Sequence, residues 1–322
     1  MQSRAYWTVA PGRGEVRTAE LGPPAAGEAL VRALASGISR GTELLVHRGG
    51  VPEQVAESMR APFQEGEHPG PVKYGYLSVG VVEQGPDDLV GLRVFCLHPH
   101  QDRYVVPAGA LVPVPDAVPT ERAVLAGAVE TAVNALWDAP PMLGDRVAVV
   151  GAGMIGASLA ALLRRYPLQR LQVVDPDPAR LGLGKALAVQ VVRPEEAAEG
   201  CDLVFHASST AAGLATGLSL LGVEGEVLEL SWYGDTAPTV PLGAQFHSRR
   251  LSLRASQVGA VSPSRRARRS TRDRMLLALD ALVDPAFDAL LTGRTAFADL
   301  PDTMRRMADG ELPGLCQVVT YT

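Results

Sequence analysis

The chain has 322 residues, 47% hydrophobic and 20% charged, with a formal net charge of -5. At about 100–200 residues per domain this length predicts two domains, and the apolar content excludes a disordered chain. An acidic balance counts against nucleic acid as a partner, because phosphate binding needs a basic surface. MQSRAYWTVAPGRGE contains no apolar leader, and no later stretch reaches the roughly 18 apolar residues of a membrane span. A cytoplasmic location with no membrane partner is therefore expected. Cys96, Cys201 and Cys316 are widely spaced and odd in number, which excludes a disulfide framework and a thiolate zinc lobe and leaves small buried hydrophobes.

In chain order, the first third reads as short strands. AYWTV, EALVRALAS, LSVGVVEQ, LRVFCL and DRYVVP are separated by Gly, Pro and Asp clusters. From Thr120, taken as an N-cap, TERAVLAGAVETAVNALWDA has the pattern of one long helix. Then RVAVV, LQVVD, CDLVFHAS and GEVLELSWYG alternate with helix-like stretches around ARLGLGKALA and TAAGLATGLSLL. Such alternation predicts an α/β fold with a parallel sheet. The Arg-rich run at residues 262–275, SPSRRARRSTRDRM, is read as a solvated loop or helix face.

One motif stands out within the alternation. The apolar strand ending at Val150 runs into Gly151-Ala152-Gly153-Met154-Ile155-Gly156, and an apolar helix follows. Gly151 permits the tight turn, Gly153 lets the backbone approach a pyrophosphate, and Gly156 lets the helix pack on the sheet. Asp175 ends the next strand about 20 residues on, where a carboxylate binds the adenosine ribose hydroxyls and repels a 2′-phosphate. NAD is the expected cofactor. NADP stays open, because Arg180 follows closely enough to accept a phosphate.

These residues resemble the medium-chain dehydrogenase/reductase family over essentially the whole chain. GDRVAVVGAGMIG and VVDPDPAR are similar to its cofactor domain, SGISRGTELLVHRGG and VKYGYLSVGVVEQGP to its catalytic domain, and LLTGRTAFADLPDTMRRMADGE to its returning tail. The SGISRGTE variant resembles a subgroup that includes bacteriochlorophyllide hydroxyethyl dehydrogenases. The resemblance implies a Rossmann doubly wound parallel sheet over residues 121–287. It would be inserted into a GroES-like β-barrel catalytic domain of residues 1–120, completed by 288–322. It also implies an active site between the domains, a homodimer, and a small-molecule secondary alcohol or ketone as substrate. Trp232 and Tyr233 would offer stacking surface to a large ring.

Many members hold a catalytic zinc with a Cys, a His, and a Cys or Glu. Carried over, those positions fall on Ser39 or Arg40, on Tyr76, and on Ala126 or Gly127. This is no ligand set, since zinc needs about three N, S or carboxylate donors. A metal on His98, His100 and Asp102 fits ligand spacing poorly, so no zinc is expected. Donors must then stabilise the developing alkoxide. The candidates are Tyr76, Ser39, Thr42 and His100, with Lys73 either lowering the Tyr76 pKa or standing as a surface charge. Glu43 is expected to be structural and His47 peripheral. Arg40 resembles an arginine that contacts the pyrophosphate, and Glu130 and Thr131 are expected on the nicotinamide side. Two other readings stay open: a non-catalytic NAD(P)-binding redox sensor, and an NADPH-dependent quinone or enone reductase.

Overall fold

The computed structural model describes residues 1–321. The chain divides into two compact units, Met1–Gly127 with Leu291–Thr322, and Ala128–Leu290.

The first unit opens with β1 (Gln2–Ala10), β2 (Arg13–Glu20), β3 (Glu28–Ser39) and helix α1 (Arg40–His47). It continues through β4 (Glu65–Gly66), β5 (Val72–Lys73), β6 (Ser78–Gln84), β7 (Arg93–Cys96), β8 (Arg103–Pro107) and β9 (Val112–Pro113). β1 lies between β2 and β5 in a four-stranded sheet. β3 is the hub of a larger sheet, bonded to β6, β8 and a strand from the chain's tail. Nine of its twelve residues, EALVRALASGIS, are buried and the other three half-buried, as suits a central strand. The core beneath β3 is made by Ala29, Val31, Val82, Val94, Tyr104 and Leu111.

The sequence predicts one helix from Thr120, and the structure has two. α2 (Thr120–Ala123) is followed by α3 (Ala126–Asp138), with a turn closed by Leu125 N–H on the Arg122 carbonyl. Pro119 occupies the N-cap. The Thr120 hydroxyl instead accepts from Arg93 Nη1 at 3.2 Å, so it is not the cap.

The second unit continues with β10 (Arg146–Val150), α4 (Met154–Leu163), β11 (Arg170–Val174), α5 (Gly182–Leu187), β12 (Gln190–Val192) and β13 (Cys201–His206). α6 (Ala211–Leu220), β14 (Leu221–Glu229), α7 (Gln245–Ser248), β15 (Ser252–Ala255) and α8 (Thr271–Ala281) follow. All six strands run parallel, in the order β12-β11-β10-β13-β14-β15. Numbered within the unit this is 3-2-1-4-5-6, the doubly wound order whose direction reverses between its first and fourth strands. The fold is α/β as expected. Apolar runs such as RVAVV and LVFH suit strands buried on both faces.

The tail returns to the first unit through β16 (Leu291–Ala296), α9 (Leu300–Ala308) and β17 (Cys316–Thr320). β17 pairs antiparallel with β3, Cys316 opposite Ser39. All three cysteines are free and buried.

The Arg-rich run is only partly a solvated face. Ser270 caps α8 with Asp273 in a reciprocal capping box, but Arg274 points inward and is 2% exposed.

Candidate active site

In the second unit the glycines do what their positions require. Gly151 has φ +102°, and a Cβ there would lie 2.8 Å from the Ser208 nitrogen. At Gly156 a Cβ would meet the Gly151 carbonyl oxygen at 1.8 Å, so α4 packs onto the turn only because that side chain is missing. Gly153 differs: it caps α4, and the space where its Cβ would project is open. Open space beside free helix-end N–H groups is a cradle for an anion. Met154 is buried and Ile155 half-buried at the start of α4.

Asp175 is fastened across this turn. Its Oδ2 accepts from Ala152 N–H at 2.7 Å and its Oδ1 from Asp177 N–H at 2.9 Å. A carboxylate has about four acceptor sites, so capacity remains for ribose hydroxyls. Arg180 leans on Asp177, Nε to Oδ2 3.4 Å. These residues fit a dinucleotide.

Glu130 and Thr131 lie on α3. The Glu130 carboxylate accepts from the buried Arg274 Nε at 3.0 Å. Arg274 also donates to Asn134 Oδ1, Ala260 O and Val258 O. Burial raises the Glu130 pKa even though Arg274 opposes the shift. That pair holds α8 and its preceding loop on α3, and it occupies one oxygen of the Glu130 carboxylate that was expected on the nicotinamide side. Thr131 is half-buried next to it.

In the first unit, β3 ends at Ser39 and α1 begins at Arg40, bringing the polar candidates together. Tyr76 donates its phenol proton to Ser39 Oγ at 2.6 Å. Ser39 N–H donates to Glu43 Oε1 at 2.8 Å, and His100 Nε2 meets Glu43 Oε2 at 2.8 Å. His100 Nδ1 lies 2.6 Å from Ser36 Oγ, which in turn contacts the Tyr321 hydroxyl at 2.8 Å. Glu43 and His100 are 2% and 1% exposed. Desolvation and the Glu43 carboxylate push the Tyr76 phenol up to about 12, against hydrogen bonds to Ser39 and Thr42.

Lys73 does not act on that phenol. It is buried, paired with Glu65 and donating to Gln101 Oε1 at 2.8 Å, and so is neither a surface charge nor a neighbour that lowers Tyr76. His47, expected to be peripheral to the chemistry, lies in the interior of the first unit. It is 1% exposed with Nδ1 3.1 Å from the Tyr6 hydroxyl, and burial lowers its pKa. Arg40 donates from Nη1 to the Leu312 carbonyl at 2.7 Å, within its own unit.

The catalytic zinc expected from the resemblance does not fit these residues. Ser39 and Tyr76 bring hydroxyls, and a Cβ on Gly127 would strike Leu77 Cδ2 at 2.5 Å, so apolar packing fills the third position. His98, His100 and Asp102 do not converge either. His98 stacks 3.7 Å from Tyr104 and donates Nδ1–H to the Pro99 carbonyl, while Asp102 receives Arg4. Burial drives the His98 pKa down to about 3. Among the described residues no three His, Cys, Asp or Glu side chains form a metal cluster.

One polar group escaped the sequence reading: His206 and Glu229, at the carboxyl ends of β13 and β14. A polar residue closing each of two apolar strand runs was the available signal.

No family model matches the chain. An L-threonine 3-dehydrogenase of Mesorhizobium japonicum is 37% identical over 91 residues, 27% of this chain. That stretch spans 25% of the curated relative's length. An alcohol dehydrogenase of Escherichia coli solved with NADH superposes with a TM-score of 0.77 at 17% identity, covering 99% of both chains. A putative zinc-binding dehydrogenase of Sinorhizobium meliloti bound to NADP gives 0.79 at 16% identity, also covering 99% of both. The chain has the two-domain fold of these dehydrogenases.

Proposed function

We propose that the protein is a medium-chain oxidoreductase that interconverts a secondary alcohol and a ketone with NAD(H), without zinc. The observation that carries this reading is the Asp175 carboxylate clasped across the glycine turn, beside the open backbone at Gly153. Similarity to dehydrogenases solved with NADH and NADP supports a nicotinamide cofactor, and a carboxylate in this place favours NAD.

The cofactor, when bound, supplies the hydride acceptor or donor. Tyr76, pushed up to about 12, keeps its proton through neutral pH. It therefore acts as a donor and not as a base: its single proton, which rests on Ser39 Oγ, turns to the developing alkoxide while the Ser39 hydroxyl turns to donate to the phenol oxygen. Ser39 holds the phenol, and Glu43 holds Ser39 through its backbone N–H. His100 fixes Glu43 from behind, so Glu43 and His100 are positioning residues.

The test is NADH oxidation against a carbonyl panel by chelator-treated protein. Turnover is expected to persist after metal removal and to fall when NADPH replaces NADH. Activity lost to the chelator and restored by zinc would overturn the zinc-free reading. NADH binding with no turnover on any substrate would favour a redox sensor.

A further inference from the structure

The carboxyl edge of the parallel sheet carries four aligned positions. Val174, Val150, His206 and Glu229 are paired neighbours across β11, β10, β13 and β14. Asp175 follows the first and Gly151 the second, so the edge reads Asp175, Gly151, His206, Glu229. If the adenosine ribose lies at Asp175 and the pyrophosphate on the glycine turn, the other half of a dinucleotide extends over His206 and Glu229, because the cofactor crosses the crevice at the switch point.

That end of the sheet is a built polar network. His206 is fully buried, with Nδ1 2.8 and 2.7 Å from the two Glu229 oxygens. Glu229 also accepts from Ser231 N–H at 2.8 Å and from the Tyr233 hydroxyl at 3.1 Å. Burial alone would raise the Glu229 carboxyl, but His206 and Ser231 hold it below its usual value. On the other side His206 Nε2 lies 2.7 Å from Ser208 Oγ, and Ser208 Oγ lies 2.9 Å from Thr210 Oγ1. Gly213 makes room for this cluster, since a Cβ there would fall 2.1 Å from Ser208 Oγ.

The proton inventory allows two charge states without losing a bond. With His206 neutral, Ser208 O–H donates to Nε2. With His206 protonated, Nε2–H donates to Ser208 Oγ, and the Ser208 proton turns to Thr210. Nδ1–H stays on Glu229 in both. The pair carries one negative charge in the first state and none in the second. The titratable groups facing His206 are Glu229 and Tyr233, from β14 and the segment after it. Among the described residues the α6 side brings the hydroxyls of Ser208 and Thr210, and β10 presents Val150.

We propose that His206 and Glu229 form the ionisable counter-charge of the nicotinamide half, so that preference for oxidised over reduced cofactor rises with pH. This rests on the dinucleotide reading above. The oxidised ring is cationic and the reduced ring neutral, so only the oxidised form disfavours a protonated His206. One linked proton gives at most about a tenfold change in relative affinity per pH unit.

The test is fluorescence titration of NADH, with competition by NAD, between about pH 6 and 8.5. In wild type the ratio of the NADH to the NAD dissociation constant is expected to climb with pH towards that slope. His206→Gln should flatten it to within about twofold, and Glu229→Gln should weaken NAD severalfold while sparing NADH. If His206→Gln does not fold, Glu229→Gln alone carries the test through the loss of NAD selectivity. A flat wild-type ratio, or a slope that survives His206→Gln, overturns the proposal while leaving the dinucleotide site standing. Failure of NADH to bind at all overturns both.

Discussion

Tyr76→Phe is expected to slow hydride transfer by about a hundredfold to a thousandfold, the usual cost of losing one donor to a developing oxyanion. NADH affinity should stay unchanged. The ring survives the substitution, so the apolar contacts around Leu77 and Gly127 are kept and only the hydroxyl on Ser39 Oγ is lost. A packing role would make Phe nearly neutral, because it fills the same volume. Single-turnover measurements on a substrate from the carbonyl panel separate the two. Wild-type transfer by the Phe variant would reduce Tyr76 to filler and move the donor role to Ser39 or Thr42.

Arg274→Ala is expected to cost about 3–5 kcal/mol of stability, the penalty for leaving one partner of a buried ion pair alone. Four acceptors depend on this guanidinium: Glu130, Asn134, Val258 O and Ala260 O. The raised Glu130 pKa shows burial outweighing the attraction of Arg274, so the pair is costly to break without being a large net source of stability. The sign for pH follows. A carboxyl raised in the folded state loses stability as pH rises through its usual range towards the folded value. Arg266→Ala, in the same run but exposed, should stay within about 0.5 kcal/mol. Urea denaturation of both variants decides. Equal small effects would mean that Arg274 is solvated after all.

The strand–turn–helix around Gly151 was legible because every feature of it is local. A run of apolar residues, three glycines and an acid at the next strand end leave few other conformations. The parallel sheet followed from the same alternation, though its strand order did not. Side-chain partnerships were not legible. Glu130 finds Arg274 across 144 residues and Tyr321 reaches Ser36 across 285, and periodicity reports which face is buried without saying what lies opposite. Lys73 shows the same limit: a lone lysine in a strand looks solvated until Glu65 and Gln101 are folded against it. The break between α2 and α3 was missed because no proline or glycine marks residues 124 and 125.

The central claim is that a dinucleotide lies on the glycine turn, and calorimetric titration of NADH into wild type and Gly153→Val tests it most directly. The space at Gly153 is open, so valine should fold with a change under about 1 kcal/mol while its side chain blocks the pyrophosphate. The expected result is one NADH bound per wild-type chain and no detectable binding by a variant that melts normally. NADH binding of equal strength to both proteins would contradict the account.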